Sequence, residues 1–174
     1  MKRNFLGDSY DAVKRMWREL LSVWAPLYAE PRFLPQELRQ DFSKLTGIPM
    51  LTNVLPDYYS ILNDPDTGIR LPRERNQAEG CAHVTIDTII DQLEIKGVRC
   101  VVTFDQSDYR HSGQSREQQR CAKMRCLVDK GLSCFYYVSH APFLFAVPDA
   151  ETLKELEQVL TNAGVPEKRF EKPH

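Results

Sequence analysis

Apolar positions recur at helical spacing near the N-terminus. Val13, Met16, Trp17, Leu20, Leu21 and Trp24 follow the i, i+3, i+4 rule, with Lys14, Arg15, Arg18 and Glu19 between them. Upstream, "NFLG" is too short and apolar for a helix and reads as a first strand, with "GDS" as the strand-to-helix turn. "PLYAEPRF" predicts a short strand near a sheet edge, because its prolines cannot donate to two neighbours. Pro35 then opens a helix whose Leu38, Phe42 and Leu45 share a face and whose C-cap is Gly47. "IPMLTNVL" and "YYSILN" are both strand-like. Ile86, Ile89, Ile90 and Leu93 mark the next amphipathic helix, closed by Gly97.

"VRCVVTF" is β-branched and apolar on both faces, as a buried parallel strand should be. A polar loop, "DQSDYRHSGQS", leads to a helix from about Arg116 to Lys130, stopped by Gly131. "CFYYVS" and "FLFAV" are separated only by "HAP", which permits an antiparallel hairpin and no parallel pairing. Asp149 caps a last helix carrying Leu153, Leu156 and Leu160, ended by Gly164, and the polar tail "EKRFEKPH" reads as loosely held. Strands alternating with helices predict a three-layer, Rossmann-like α/β domain over residues 1–174. Its mostly parallel sheet closes with a C-terminal antiparallel hairpin.

Composition narrows the class. With 174 residues, 42% hydrophobic and 27% charged, the chain is long enough to bury a core and has the make-up of a soluble globular protein. No apolar run approaches the ~20 residues that span a bilayer, and "MKRNFLGDSY" has no apolar signal core, so no membrane association is expected. Five cysteines without a C-x-x-C pair read as reduced thiols, which predicts a cytoplasmic protein. Net charge is −1, so any attraction for nucleic acid must come from local clustering.

In open parallel sheets, ligands bind outside the carboxyl ends of the strands. The sequence places Asp8 after the first expected strand, Asn53 after "IPMLT", Asp64 and Asp66 after "YYSIL", and Asp105 after "VRCVVTF"; the hairpin turn adds His140. Each acid also has a plain structural use. Asp8 precedes the best helix and suits an N-cap, and Asp-Pro-Asp-Thr-Gly is good turn chemistry. Together, carboxylates converging on one edge would form a negative pocket calling for a cation, and hard oxygen donors suit Mg²⁺ or Mn²⁺. Asp8, Asp64, Asp66 and Asp105 are then the expected ligands, with Asp64, Asp66 and His140 catalytic, in metal-assisted hydrolysis of a phosphoester. Arg70, Arg73 and Arg75 follow the "DPDTG" turn, and Arg110, His111, Arg116, Arg120 and Lys123 follow Asp105. Asn53, Arg110, Arg116, Arg120 and Lys123 are the expected contacts to a phosphate-containing substrate, nucleic acid included. The same basic helix also fits a non-catalytic module binding nucleic acid or an acidic partner, or an ordinary solvated face.

The order of elements and the "NDPDTG" loop resemble the class I methyltransferase fold, whose fourth strand is followed by a D/N-P-P-Y/F loop. Asp64-Pro65 match the first half of that motif, while Asp66 and Thr67 stand where its second proline and aromatic ring would be. The resemblance implies a methyltransferase-like protein, active or degenerate. The family's Gly-rich cofactor loop has only Gly7 to represent it in "FLGDSYD", so weak or no S-adenosylmethionine binding is expected. The chain is also similar, over most of its length, to Rossmann-like bacterial proteins carrying "GDSYD", "DPD-T/N-G" and "VSHA" segments, a similarity that brings no activity with it.

Overall fold

In the computed structural model, which describes residues 6–71, 83–106 and 113–173, the N-terminal apolar stripe forms helix α1, Ser9–Leu21. Asp8 caps it by accepting from the amides of Tyr10 at 2.8 Å and Asp11 at 3.3 Å, two of the donors a helix start leaves without partners. Strand β1 (Leu27–Ala29) follows, then two single turns of 3-10 helix and helix α2 (Arg39–Thr46). Gly47 ends α2 at φ +72°, a conformation that costs glycine nothing. The rest of the chain forms β2 (Tyr59–Asn63), β3 (Ile69–Arg70), β4 (Val84–Thr85), α3 (Ile86–Leu93) and β5 (Val98–Phe104). After these come α4 (Arg116–Val128), β6 (Ser133–Tyr137), β7 (Phe143–Val147), α5 (Ala150–Asn162) and β8 (Phe170–Glu171).

Six strands form one sheet in the order β1-β2-β5-β7-β6-β8, and β3 pairs with β4 apart from it. β1, β2 and β5 are parallel; β7 lies antiparallel between β5 and β6, and β8 runs antiparallel beside β6. Four strands thus point one way, and the expected hairpin is present, paired from Ser133↔Val147 to Tyr137↔Phe143. "VRCVVTF" is the interior strand β5, as its composition predicts.

Strict alternation sends the side chains of this sheet into two separate cores. On the front face Leu62, Val102, Phe104, Phe143 and Phe145 pack under α1, α2 and α5 through Trp17, Phe42 and Leu156. On the back face Ile61, Val101, Tyr136 and Leu144 pack under α3 and α4 through Ile89, Met124 and Leu127. The result is the three-layer, Rossmann-like arrangement.

Three local expectations are corrected. Leu6 already belongs to the turn expected at "GDS" and not to a strand, folded toward α1 by the 2.7 Å bond from the Gly7 amide to Asp11 Oδ2, while Asn4 and Phe5 lie outside the described residues. "IPMLTNVL" contributes a single parallel bridge, Ala29↔Met50. Three-residue β1 offers little edge to extend along, and past Met50 the Thr52 hydroxyl bonds the backbone of Val54 and turns the chain outward. The tail is held rather than loose: β8 lines the open edge of β6, and Phe170 packs on Phe135 at 4.7 Å between ring centroids.

Candidate functional site

β2 and β5 leave the sheet side by side, with Asn63 opposite Thr103 in register. Alternation then decides where the two expected carboxylates go. Asp64 follows Asn63 and turns to the front with Leu62 and Phe104; Asp105 follows Phe104 and turns to the back with Tyr136. The carboxylates that the sequence suggested would converge therefore sit on opposite faces of the sheet. Each meets a buried lysine there.

On the front face Lys14, 3% exposed, reaches down from α1. Its ammonium donates to Asp64 Oδ2 at 2.8 Å and to Asp11 Oδ1 at 2.9 Å, and lies 5.5 and 5.8 Å from the ring centroids of Phe42 and Phe104. Burial works against the lysine charge, but Asp64 and Asp11 outweigh it and hold the ammonium above the ordinary lysine range. Burial likewise pushes the Asp64 carboxyl up, with Lys14 opposing and Asp11 adding to the rise. The two shifts differ in origin: the carboxylates raise the lysine, whereas burial raises Asp64.

Above this group opens a cleft of about 90 Å³, lined by Asp8, Tyr10, Lys14, Asp64, Pro65, Asp66, Phe104 and Gln106. Tyr10 packs on Phe104 with centroids 5.3 Å apart, and on His140 at 5.7 Å. Exposed His140 thus meets the cleft through the Tyr10 ring.

On the back face Asp105, 1% exposed, is held on both oxygens. Oδ2 accepts from Lys123 Nζ at 2.7 Å and from the Tyr136 hydroxyl at 2.7 Å; Oδ1 accepts from the Ile69 amide at 2.8 Å. Burial, then Asp105 itself, push the Tyr136 phenol well above its ordinary value. Beside this cluster Asn63 and Gln92 exchange amide hydrogen bonds of 2.7 and 3.0 Å, and Asn63 also donates to Thr103 at 3.2 Å.

The structure thus gathers Asp8, Asp64 and Asp66, with His140 at the rim, and takes Asp105 away from them. Asn53 is exposed in the loop after Met50, outside the cleft lining. The expected exposed basic face is corrected: Lys123 is buried under Asp105, Arg120 makes two 3.0 Å bonds from Nε to the Glu171 carboxylate, and Arg116 alone of the three is exposed. Arg73, Arg75, Arg110 and His111 lie outside the described residues. Nor do the acids fit Mg²⁺ or Mn²⁺ as arranged. Asp8 caps α1, Asp64 is bound by Lys14 and Asp105 by three donors, and no group of three or more His, Cys, Asp or Glu side chains among the described residues could hold a metal ion.

Sequence reasoning missed Tyr10, Asp11, Lys14, Phe104, Gln106 and Tyr136. The signal for Lys14 was present: it stands three residues before Trp17 and seven before Leu21, on the buried stripe rather than between its members. Lys123 is placed the same way, four residues after buried Gln119 and four before buried Leu127. Cys100 and Cys134 are core residues, burial pushing the Cys134 thiol up to about 12, while Cys121 and Cys126 are half-buried.

Fold and site together define a Rossmann-like α/β protein with a small cleft at the carboxyl edge of its parallel strands. No family model matches the chain, and neither does any curated protein or solved structure. Among the described residues no helix is long and apolar enough to cross a membrane.

Proposed function

We propose that the front cleft binds a small ligand that presents a cationic or hydrogen-donating nitrogen to Asp64 and Asp66 and lays a flat or apolar part on Tyr10 and Phe104. The observation that carries this is the charge of the lining. Among the described residues of the lining three aspartates face one lysine, and that lysine is already shared between Asp64 and Asp11. A phosphate group would meet net negative charge there, whereas an amine or amidinium gains both the carboxylates and the aromatic faces. The position, outside the carboxyl ends of β2 and β5, is where open α/β sheets place ligands. The resemblance of Asp64-Pro65 to the methyltransferase loop points the same way, since that loop too sits beyond the end of a parallel strand.

Benzamidine, a flat ring bearing a cationic nitrogen group, is a direct probe. Millimolar benzamidine should shift the backbone amide resonances of Asp66 and Gln106, and Asp66→Asn should weaken the effect several-fold. No shift at these positions at any accessible concentration would overturn the proposal. Two further titrations separate the rival readings. Saturable stabilisation by MnCl₂ would restore the metal-dependent phosphoesterase, and stabilisation by S-adenosylmethionine would establish the methyltransferase relative.

A further inference from the structure

We propose that Asp105, on the opposite face of the sheet from the cleft, is a positioning residue for it, fixing the 64–69 turn so that Asp64 and Asp66 form the cleft wall. The idea rests on the ligand-binding role given to that cleft. The turn leaves β2 at Asp64, which Lys14 holds, and re-enters regular structure at Ile69 in β3. β3 and β4 pair over only two residues each and belong to a separate sheet, an arrangement too small to fix its own position. Asp105 supplies a hydrogen-bond link between that small sheet and the central one, through the 2.8 Å bond from the Ile69 amide to Oδ1.

The carboxylate is itself immobilised. Lys123 and Tyr136 both donate to Oδ2, leaving Oδ1 aimed at the turn. Gly68 fits this contact closely. At φ +94° a Cβ there would lie 2.3 Å from Asp105 Oδ1 and 2.7 Å from the Gln106 amide nitrogen, so the turn can approach Asp105 only with glycine at this position. Asp105 and Gln106 are consecutive, and Gln106 lines the cleft, so one short segment serves both sides.

Two double variants isolate the positioning bond from charge and volume. Asp105→Asn with Lys123→Met keeps an acceptor oxygen for the Ile69 amide; Asp105→Leu with Lys123→Met removes it at nearly the same size. In both, the Asp105 and Lys123 charges are removed together. The Leu pair should speed hydrogen exchange at the Ile69 amide about tenfold and weaken benzamidine binding by a similar factor, with the Val102 amide in β5 still protected. The Asn pair should stay close to wild type in both. Equal behaviour of the two pairs, or unchanged Ile69 exchange in the Leu pair, would overturn the inference. Should the wild type ignore benzamidine, the ligand-binding proposal fails by itself, and Ile69 exchange still decides whether Asp105 holds the turn.

Discussion

A lysine with its ammonium 2.8–2.9 Å from two carboxylates, all three side chains nearly inaccessible, is stable only as a set. Removing Lys14 leaves Asp11 and Asp64 buried without the ammonium they share. Breaking a buried ion pair from one side costs about 3–5 kcal/mol, whereas removing both partners together costs far less. Lys14→Met should therefore lower the unfolding free energy by about 3–5 kcal/mol, and Lys14→Met with both Asp64→Leu and Asp11→Asn should recover most of the loss. Urea denaturation of the wild type and both variants measures this directly. A Lys14→Met protein as stable as the wild type would mean that solvent or another cation relieves the carboxylates. Gly68 makes a second prediction at this scale. Any side chain there is strained at φ +94° and collides with Asp105, so Gly68→Ala should destabilise by more than the ~1–2 kcal/mol of left-handed backbone alone. A melting curve indistinguishable from wild type would show that Asp105 and the turn can part without cost.

The helices are closed by local chemistry, and their caps give the test at the scale of elements. Asp149 accepts from the Thr152 amide at 2.8 Å at the start of α5, and that bond holds its carboxyl below the ordinary aspartate value. A lowered folded value means the contribution is present at neutral pH and is lost as pH falls through it. Asp149→Ala should thus cost about 1 kcal/mol at neutral pH, and the difference from wild type should shrink in acid. Stability curves of the two proteins running parallel from neutral to strongly acidic pH would contradict this. Elements of this kind were legible in the sequence because their signals are local: helical stripes, Asp before a helix, Gly after one, and a short link forcing β6 and β7 antiparallel. What was not legible depended on partners distant in the chain. "IPMLTNVL" has the letters of a strand, but β1 is only three residues long and gives it one bridge. Phe170 looks like part of a polar tail until Phe135 and the edge of β6 are beside it. The suggested meeting of Asp64 and Asp105 failed on the register of β2 against β5. A single step of alternation sends the two side chains through opposite faces of the sheet, and the lysines that receive them were hidden as ordinary charges on amphipathic helices.

Taken as a whole, the molecule buries proton-bearing groups on both sides of one sheet, which gives its stability a definite direction in alkali. On the front, Lys14 is held above 10.5, burial lowering its value but Asp64 and Asp11 raising it more. On the back, burial and then Asp105 hold the Tyr136 phenol well above 10.0. Burial also pushes the thiol of Cys134 from 9.0 up to about 12 and that of Cys100 further still. In every case the folded value exceeds the unfolded one. From about pH 9 upward the native chain therefore binds more protons than the unfolded chain, and stability must fall as pH rises, by about 1.4 kcal/mol per pH unit for each proton of difference. The thiols should begin the decline, and Tyr136 and Lys14 should steepen it once the unfolded chain starts to lose those protons. Urea denaturation at closely spaced pH values should show a slope that grows above about pH 10, and Tyr136→Phe should reduce that slope by about one proton while leaving the region near pH 9 unchanged. A wild-type stability that stays level through this range would show that the phenol and the ammonium ionise in the folded state as they do in water. That would require solvent to reach both clusters, and neither could then be holding its face of the sheet in the way the structure describes.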